Sequence, residues 1–152
     1  MSSLEDIDSA RSDGQLDWFG IKRHSVKFSH SFCVEPDDID ELGHVNNVAY
    51  LQWVQDIAVA HWNDAATSDQ IEKFIWVVVR HEIDYKKPAF AGEEITVETW
   101  VGEWTAVTCE RFTEIKRGDD LLVKGRTVWC MIDRETMRPV RIGLELRERF
   151  WI

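Results

Sequence analysis

The stretch Val45-Asn46-Asn47-Val48-Ala49-Tyr50-Leu51-Gln52-Trp53-Val54-Gln55-Asp56-Ile57-Ala58-Val59-Ala60-His61-Trp62-Asn63 contains neither Pro nor Gly. Val48, Leu51, Trp53, Val54, Ile57, Ala58 and Trp62 spread apolar character nearly all round a helical projection. Gln52, Gln55, Asp56 and Asn63 leave only a thin polar stripe. A helix of this pattern is a buried one. At 1.5 Å per residue it runs about 27 Å.

Working outward, almost everything else reads as strand. Val26 to Val34 is a strand closed by the Pro36-Asp37-Asp38 loop. Asp64 to Lys73 is polar and reads as a loop. Phe74 to Tyr85 is rich in β-branched residues and stops before Lys87-Pro88. Ile95, Val97, Thr99 and Val101 alternate with Thr96, Glu98 and Trp100. Val107 to Lys116 alternates again, Arg117-Gly118-Asp119-Asp120 is a turn, and Leu121 to Ile132 is a long strand before a turn over Asp133 to Pro139. Leu144 to Arg149 predicts a short closing helix. Consecutive strands joined by short loops are antiparallel neighbours. The predicted architecture is α+β, a curved antiparallel sheet wrapped round one long central helix.

A chain of 152 residues fits one domain. Residues 1 to 23 are polar and read as a partly disordered extension, docked if at all by Trp18 and Phe19. The single domain then runs over 24–152. The extension lacks the apolar stretch of a secretory signal and carries Glu5, Asp6, Asp8 and Asp13, unlike a transit peptide. No apolar run is long enough for a membrane span. The formal charge of −10 argues against nucleic acid as a partner, since such binding needs cations to neutralise phosphates. Cys33, Cys109 and Cys130 lack paired spacing and read as buried thiols in a reducing, cytoplasmic setting. The eight Trp lie mostly in apolar segments, as core filling or pocket lining. His24, His30, His44, His61 and His81 are too scattered to share a metal ion. No metal or cofactor is expected.

The chemistry concentrates just before the helix, in Asp38-Ile39-Asp40-Glu41-Leu42-Gly43-His44. Two roles are open to these acids. They can favour the dipole of the helix start, or act as nucleophile or general base. Backbone amides of a helix N-terminus lack intrahelical partners and can polarise a carbonyl oxygen. Gly43 permits a close turn. Asn46 and Asn47 suit an N-cap, and His44 suits a hydrogen-bonded structural position.

Asp-x-Asp, then Gly-His-Val-Asn-Asn, then Tyr-Leu-x-Trp resembles the hotdog-fold acyl-CoA thioesterases of the 4-hydroxybenzoyl-CoA type. Val79 to Tyr85, Lys87 to Phe90, Gly92-Glu93 and Gly125 to Trp129 also look like that family, and the likeness covers roughly Val26 to Arg141. The resemblance implies hydrolysis of an acyl-CoA thioester to acid and thiol, at active sites between subunits of a homodimer or homotetramer. It assigns catalysis to Asp40, as nucleophile or general base. Asn47 stands where one branch carries a catalytic His, and His44 is a further candidate beside it. Gly43, Asn46, Tyr50, Arg80 and His81 are candidates for contact with substrate, the last two on a central strand. Lys86, Lys87, Arg111, Lys116 and Arg126 are the available cations for CoA phosphates.

The same His-Val-Asn-Asn-Val-x-Tyr run looks like plant acyl-ACP thioesterases. Their catalytic Asn, two residues before the His, is Leu42 here, so that machinery does not carry over intact. Two other readings remain. A hotdog hydratase pattern needs Asp five residues before the His, and that position is Ile39. A non-catalytic acyl-CoA or lipid-binding module is opposed by the retained Asp40.

Overall fold

The structure is a computed structural model that describes residues 15–16 and 22–151. Most of the predicted extension, including Trp18 and Phe19, lies outside the described residues. Two short strands, β1 (Gln15–Leu16) and β2 (Lys22–Arg23), pair antiparallel. The main sheet contains β3 (Phe28–Cys33), β4 (Phe74–Tyr85), β5 (Glu94–Trp104), β6 (Thr108–Arg117) and β7 (Asp120–Asp133). Its order is β3-β5-β6-β7-β4, all antiparallel. Helix α1 (Asn47–Ala65) crosses the sheet, followed by α2 (Ser68–Lys73), with α3 (Leu144–Glu148) closing the chain. This is the hotdog fold, as predicted.

Several expectations need correction. The segment read as a loop contains α2, whose start is a capping box. Thr67 Oγ1 accepts from the Gln70 amide at 3.2 Å and Gln70 Oε1 accepts from the Thr67 amide at 2.9 Å. Helix α1 is not covered all round. Val48 (70% exposed) and Val59 (51% exposed) join exposed Gln52, Asp56 and Asn63 in one stripe along it. Cys33, on the edge strand β3, is exposed, whereas Cys109 and Cys130 are buried. Burial pushes the Cys109 thiol up to about 12, which keeps it protonated and inert.

The core has two halves. Val45, Tyr50, Val54 and Ile57 pack with Val97, Ile115 and Leu122 around the N-terminal part of α1. Trp62, Val101, Met131, Ile142 and Phe150 pack around its C-terminal part. The buried polar side chains His61, Thr99, Arg111 and Thr113 are hydrogen-bonded to one another.

Strand β4 is an edge, not the central strand expected for Arg80 and His81. The register with β7 slips between Val78 and Arg80, so Val79 is an extra residue. Such a bulge switches which face each following side chain takes. Before it Phe74 and Trp76 face the core, and after it Ile83 does. Val79 and Arg80 are consequently exposed, while His81 is half-buried.

Candidate active site

The loop before α1 is a tight, self-bonded structure. The Gly43 amide donates to the Asp40 carbonyl at 3.1 Å, and the Asp40 amide donates to the His44 carbonyl at 2.8 Å. Ile39 and Val45 form a β-bridge across the base. Gly43 has φ +82°, a conformation that L side chains adopt only with strain. The predicted need for Gly here is met by backbone geometry.

Asp40 organises this loop. Its Oδ1 accepts from the Leu42 amide at 2.9 Å and the His44 amide at 3.2 Å. Oδ2 has no partner among the described residues, and the side chain is half-buried. One oxygen is thereby fixed and the other is left available. Asp38 does different work. Its Oδ2 accepts from the Glu35 amide at 3.0 Å, and its carbonyl accepts from the Asn46 amide at 2.8 Å. The first closes the turn over residues 35–38, and the second ties that turn to the helix start.

Asn46 is the N-cap, and its Oδ1 accepts from the Val48 amide at 2.9 Å. The Ala49 amide donates to the Asn46 carbonyl. The helix therefore begins at Asn47. Of its first amides, that of Asn47 is left without a partner among the described residues. The Asn47 side chain is exposed, and the His44 ring packs edge-on against Phe90 with centroids 5.4 Å apart.

A second loop buttresses the first. The Val45 amide donates to the Ala89 carbonyl at 2.9 Å, and the Ala89 amide donates to the Tyr50 hydroxyl at 3.0 Å. Tyr50 is buried between Trp53 and Tyr85. Burial also raises its hydroxyl above the usual phenol range. Its position is in the core, bracing the Asp40 loop from below. Glu93 ties the same loop, accepting from the Phe90 amide at 2.7 Å and pairing with Arg117 at 3.0 Å. Tyr50, expected as a substrate contact, is instead one of these braces, and Ala89, Glu93 and Arg117 join it from outside the set of site candidates. Their signals in the sequence are the Lys87-Pro88-Ala89-Phe90 turn and the Gly92-Glu93 pair.

The other candidates lie apart from Asp40. Arg80 pairs with Glu82 at 3.4 Å on the outer side of β4. His81 Nδ1 lies 3.0 Å from Thr127 Oγ1, its Nε2 is buried without a partner, and burial lowers its pKa. The basic residues do not converge into a phosphate site. Lys87 pairs with Asp120, Lys116 with Glu114, Arg126 with Glu110, and Arg111 is in the core. An open cleft of about 430 Å³ beside β3 and α1 is lined by Asp38, Asp56, Trp53 and His30, but not by Asp40.

The model for the acyl-ACP thioesterase N-terminal domain matches residues 25–150. The palmitoyl-acyl carrier protein thioesterase of Gossypium hirsutum chloroplasts is 24% identical over 151 residues, covering 90% of this chain. The chain spans only 37% of that enzyme's length. YneP of Bacillus subtilis strain 168, named provisionally as an acyl-CoA thioesterase, is 27% identical over 68% of this chain and 78% of its own. The crystal structure of Slr0204, a 1,4-dihydroxy-2-naphthoyl-CoA thioesterase from Synechocystis, superposes with a TM-score of 0.70 at 18% identity. That superposition covers 82% of this chain and 95% of the other. The match falls on the second family seen in the sequence, the one from which Leu42 departs. With this fold and a family match running almost from end to end of the domain, the chain belongs to the acyl-ACP thioesterase family of hotdog-fold proteins.

Proposed function

We propose that the protein hydrolyses an acyl-CoA thioester to a free acid and CoA, with Asp40 as nucleophile or general base. The observation that carries this reading is the asymmetric state of the Asp40 carboxylate. Oδ1 is held by two loop amides, and Oδ2 is unengaged among the described residues, in the loop before α1. An oriented carboxylate is the group such a reaction needs. The unpaired Asn47 amide is the donor proposed to polarise the thioester carbonyl. His44, Asn47, Gly43 and Asn46 shape the loop around the reacting carbonyl, and Arg80 and His81 contact substrate in the assembled oligomer.

The proposed assembly is a homodimer or homotetramer with active sites between subunits. Its support is the long edge strand β4, which exposes Val77 (40%) and Val79 (59%) among the described residues. A long edge with apolar side chains is a natural template for a second chain. Asp40 does not line the cleft beside β3 and α1, which fits a site completed by another copy.

The family match favours a second reading, in which the thioester is carried by acyl carrier protein. Purified protein offered the same acyl groups on CoA and on carrier protein, with released thiol followed, separates the two. The proposal predicts turnover on CoA at least as fast as on carrier protein. Turnover on carrier protein alone replaces it with the second reading. Saturable binding without turnover on either leaves a binding module.

A further inference from the structure

A separate cavity of about 280 Å³ lies at the C-terminal half of α1, among β4, β5, β6, β7 and Phe150. Its helix lining begins at Ala58 and ends at Asn63. That is roughly 17–24 Å along the axis from Asn47, at 1.5 Å per residue. Six of the fourteen lining residues are aromatic, Trp62, Trp76, Trp104 and Trp129 among them. For scale, a dry apolar cavity of about 150 Å³ holds benzene.

The electrostatics of this cavity are unusual for so acidic a chain. The lining includes Arg111 and Arg134 but no Asp or Glu. Arg134 is engaged with the carbonyls of Ile71 and Glu72 at the end of α2. Arg111 is only 6% exposed and has no carboxylate partner among the described residues. Its Nη1 donates to His61 Nδ1 at 2.9 Å and to Thr99 Oγ1 at 3.2 Å. These are neutral partners. Burial lowers His61 to about 3, and Arg111 only to about 10, so at neutral pH the guanidinium alone is charged. Its Nε and Nη2 have no protein acceptor among the described residues. The indole N–H groups of Trp76, Trp104 and Trp129 are also buried without acceptors.

A buried guanidinium facing only neutral groups is costly unless something compensates its charge. The Phe150 ring, 5.9 Å from the guanidinium, offsets only part of this charge, and the lining offers no carboxylate, so the compensating group is an anion. A carboxylate matches the planar fork of Arg. We propose that this cavity is a second ligand site, for an amphiphilic monocarboxylate whose apolar body lies among the tryptophans and whose carboxylate meets Arg111. The site takes a free acid and performs no chemistry. It stands independently of the reaction assigned to Asp40.

The test is equilibrium binding of decanoate and of 1-decanol to the full chain, by calorimetry and by tryptophan fluorescence at neutral pH. Decanoate is expected to bind saturably, with decanol at least about tenfold weaker, the scale of a charge-assisted hydrogen bond. Arg111→Met should erase the preference for the acid. Val59→Trp, at an exposed helix position on the lining, should block both ligands without disturbing the fold. Asp40→Asn should bind decanoate as the wild type does. No decanoate binding, equal affinity for acid and alcohol, or decanoate binding unchanged in Val59→Trp overturns the proposal. Loss of binding in Asp40→Asn also overturns it, because the acid would then occupy the loop site. If Arg111→Met fails to fold, the acid-to-alcohol ratio and Val59→Trp decide.

Discussion

The amide of His44 lies 3.2 Å from Oδ1 of Asp40, a contact that bonds the Asp40 side chain across the loop before α1. With the Leu42 amide on the same oxygen, it makes the carboxylate a structural anchor and leaves its other oxygen unengaged. A structural and a catalytic role are thus compatible in one side chain.

The turn at Gly43 should be sensitive to any side chain. A Cβ there meets no neighbour, so the whole cost is backbone strain at φ +82°. Gly43→Ala should destabilise by about 1–2 kcal/mol, measured by urea unfolding. Turnover should fall further than stability does, since the loop carries Asp40.

Tyr50→Phe removes the acceptor of the buried Ala89 amide. Leaving that donor unsatisfied should cost about 1–3 kcal/mol. Hydrogen exchange should show the Ala89 amide losing protection while the strands keep theirs.

Much of the fold was legible because two periodicities are strong here. Phe74 to Tyr85 has the bounds the sequence predicted for it. The Arg117 to Asp120 turn links two long alternating strands, with Gly118 at φ +59°. The Val79 bulge was not legible, since one extra residue leaves an apolar run looking unbroken. Nor was the exposed stripe on α1, because Val48 and Val59 look the same in sequence whether covered or not. Helix α2 hides in a polar segment, although Thr67-Ser68-Asp69-Gln70 spells a capping box. At the site, the sequence located the loop but not its wiring. That Oδ1 of Asp40 is occupied, and that Tyr50 and Ala89 brace the turn, depends on contacts between segments far apart in the chain.

Stability should depend on pH through His61. Its pKa is lowered from 6.5 to about 3 in the folded chain by burial and by neighbouring Arg111. Between those values the unfolded chain binds the proton and the folded one does not, so stability rises with pH. The contribution is complete above 6.5 and is lost as pH falls towards 3. The slope from this one group is at most about 1.4 kcal/mol per pH unit. His61→Gln keeps an acceptor for Arg111 and does not titrate. Its unfolding free energy should vary less steeply over that window than the wild type's, and parallel curves would count against the assignment.

Val79→Lys places a charge on the exposed bulge of β4. If that edge pairs with another copy, sedimentation velocity should show a shift towards monomer, with far-UV dichroism unchanged. Turnover should decline with the oligomer.

The measurement that bears most directly on the central claim is the turnover of Asp40→Asn on acyl-CoA thioesters. The substitution keeps an oxygen for the Leu42 and His44 amides, so unfolding should stay within about 1 kcal/mol of wild type, roughly one net hydrogen bond. Turnover should fall by at least about 100-fold, the scale of lost general-base catalysis. Wild-type turnover from the folded variant contradicts the account.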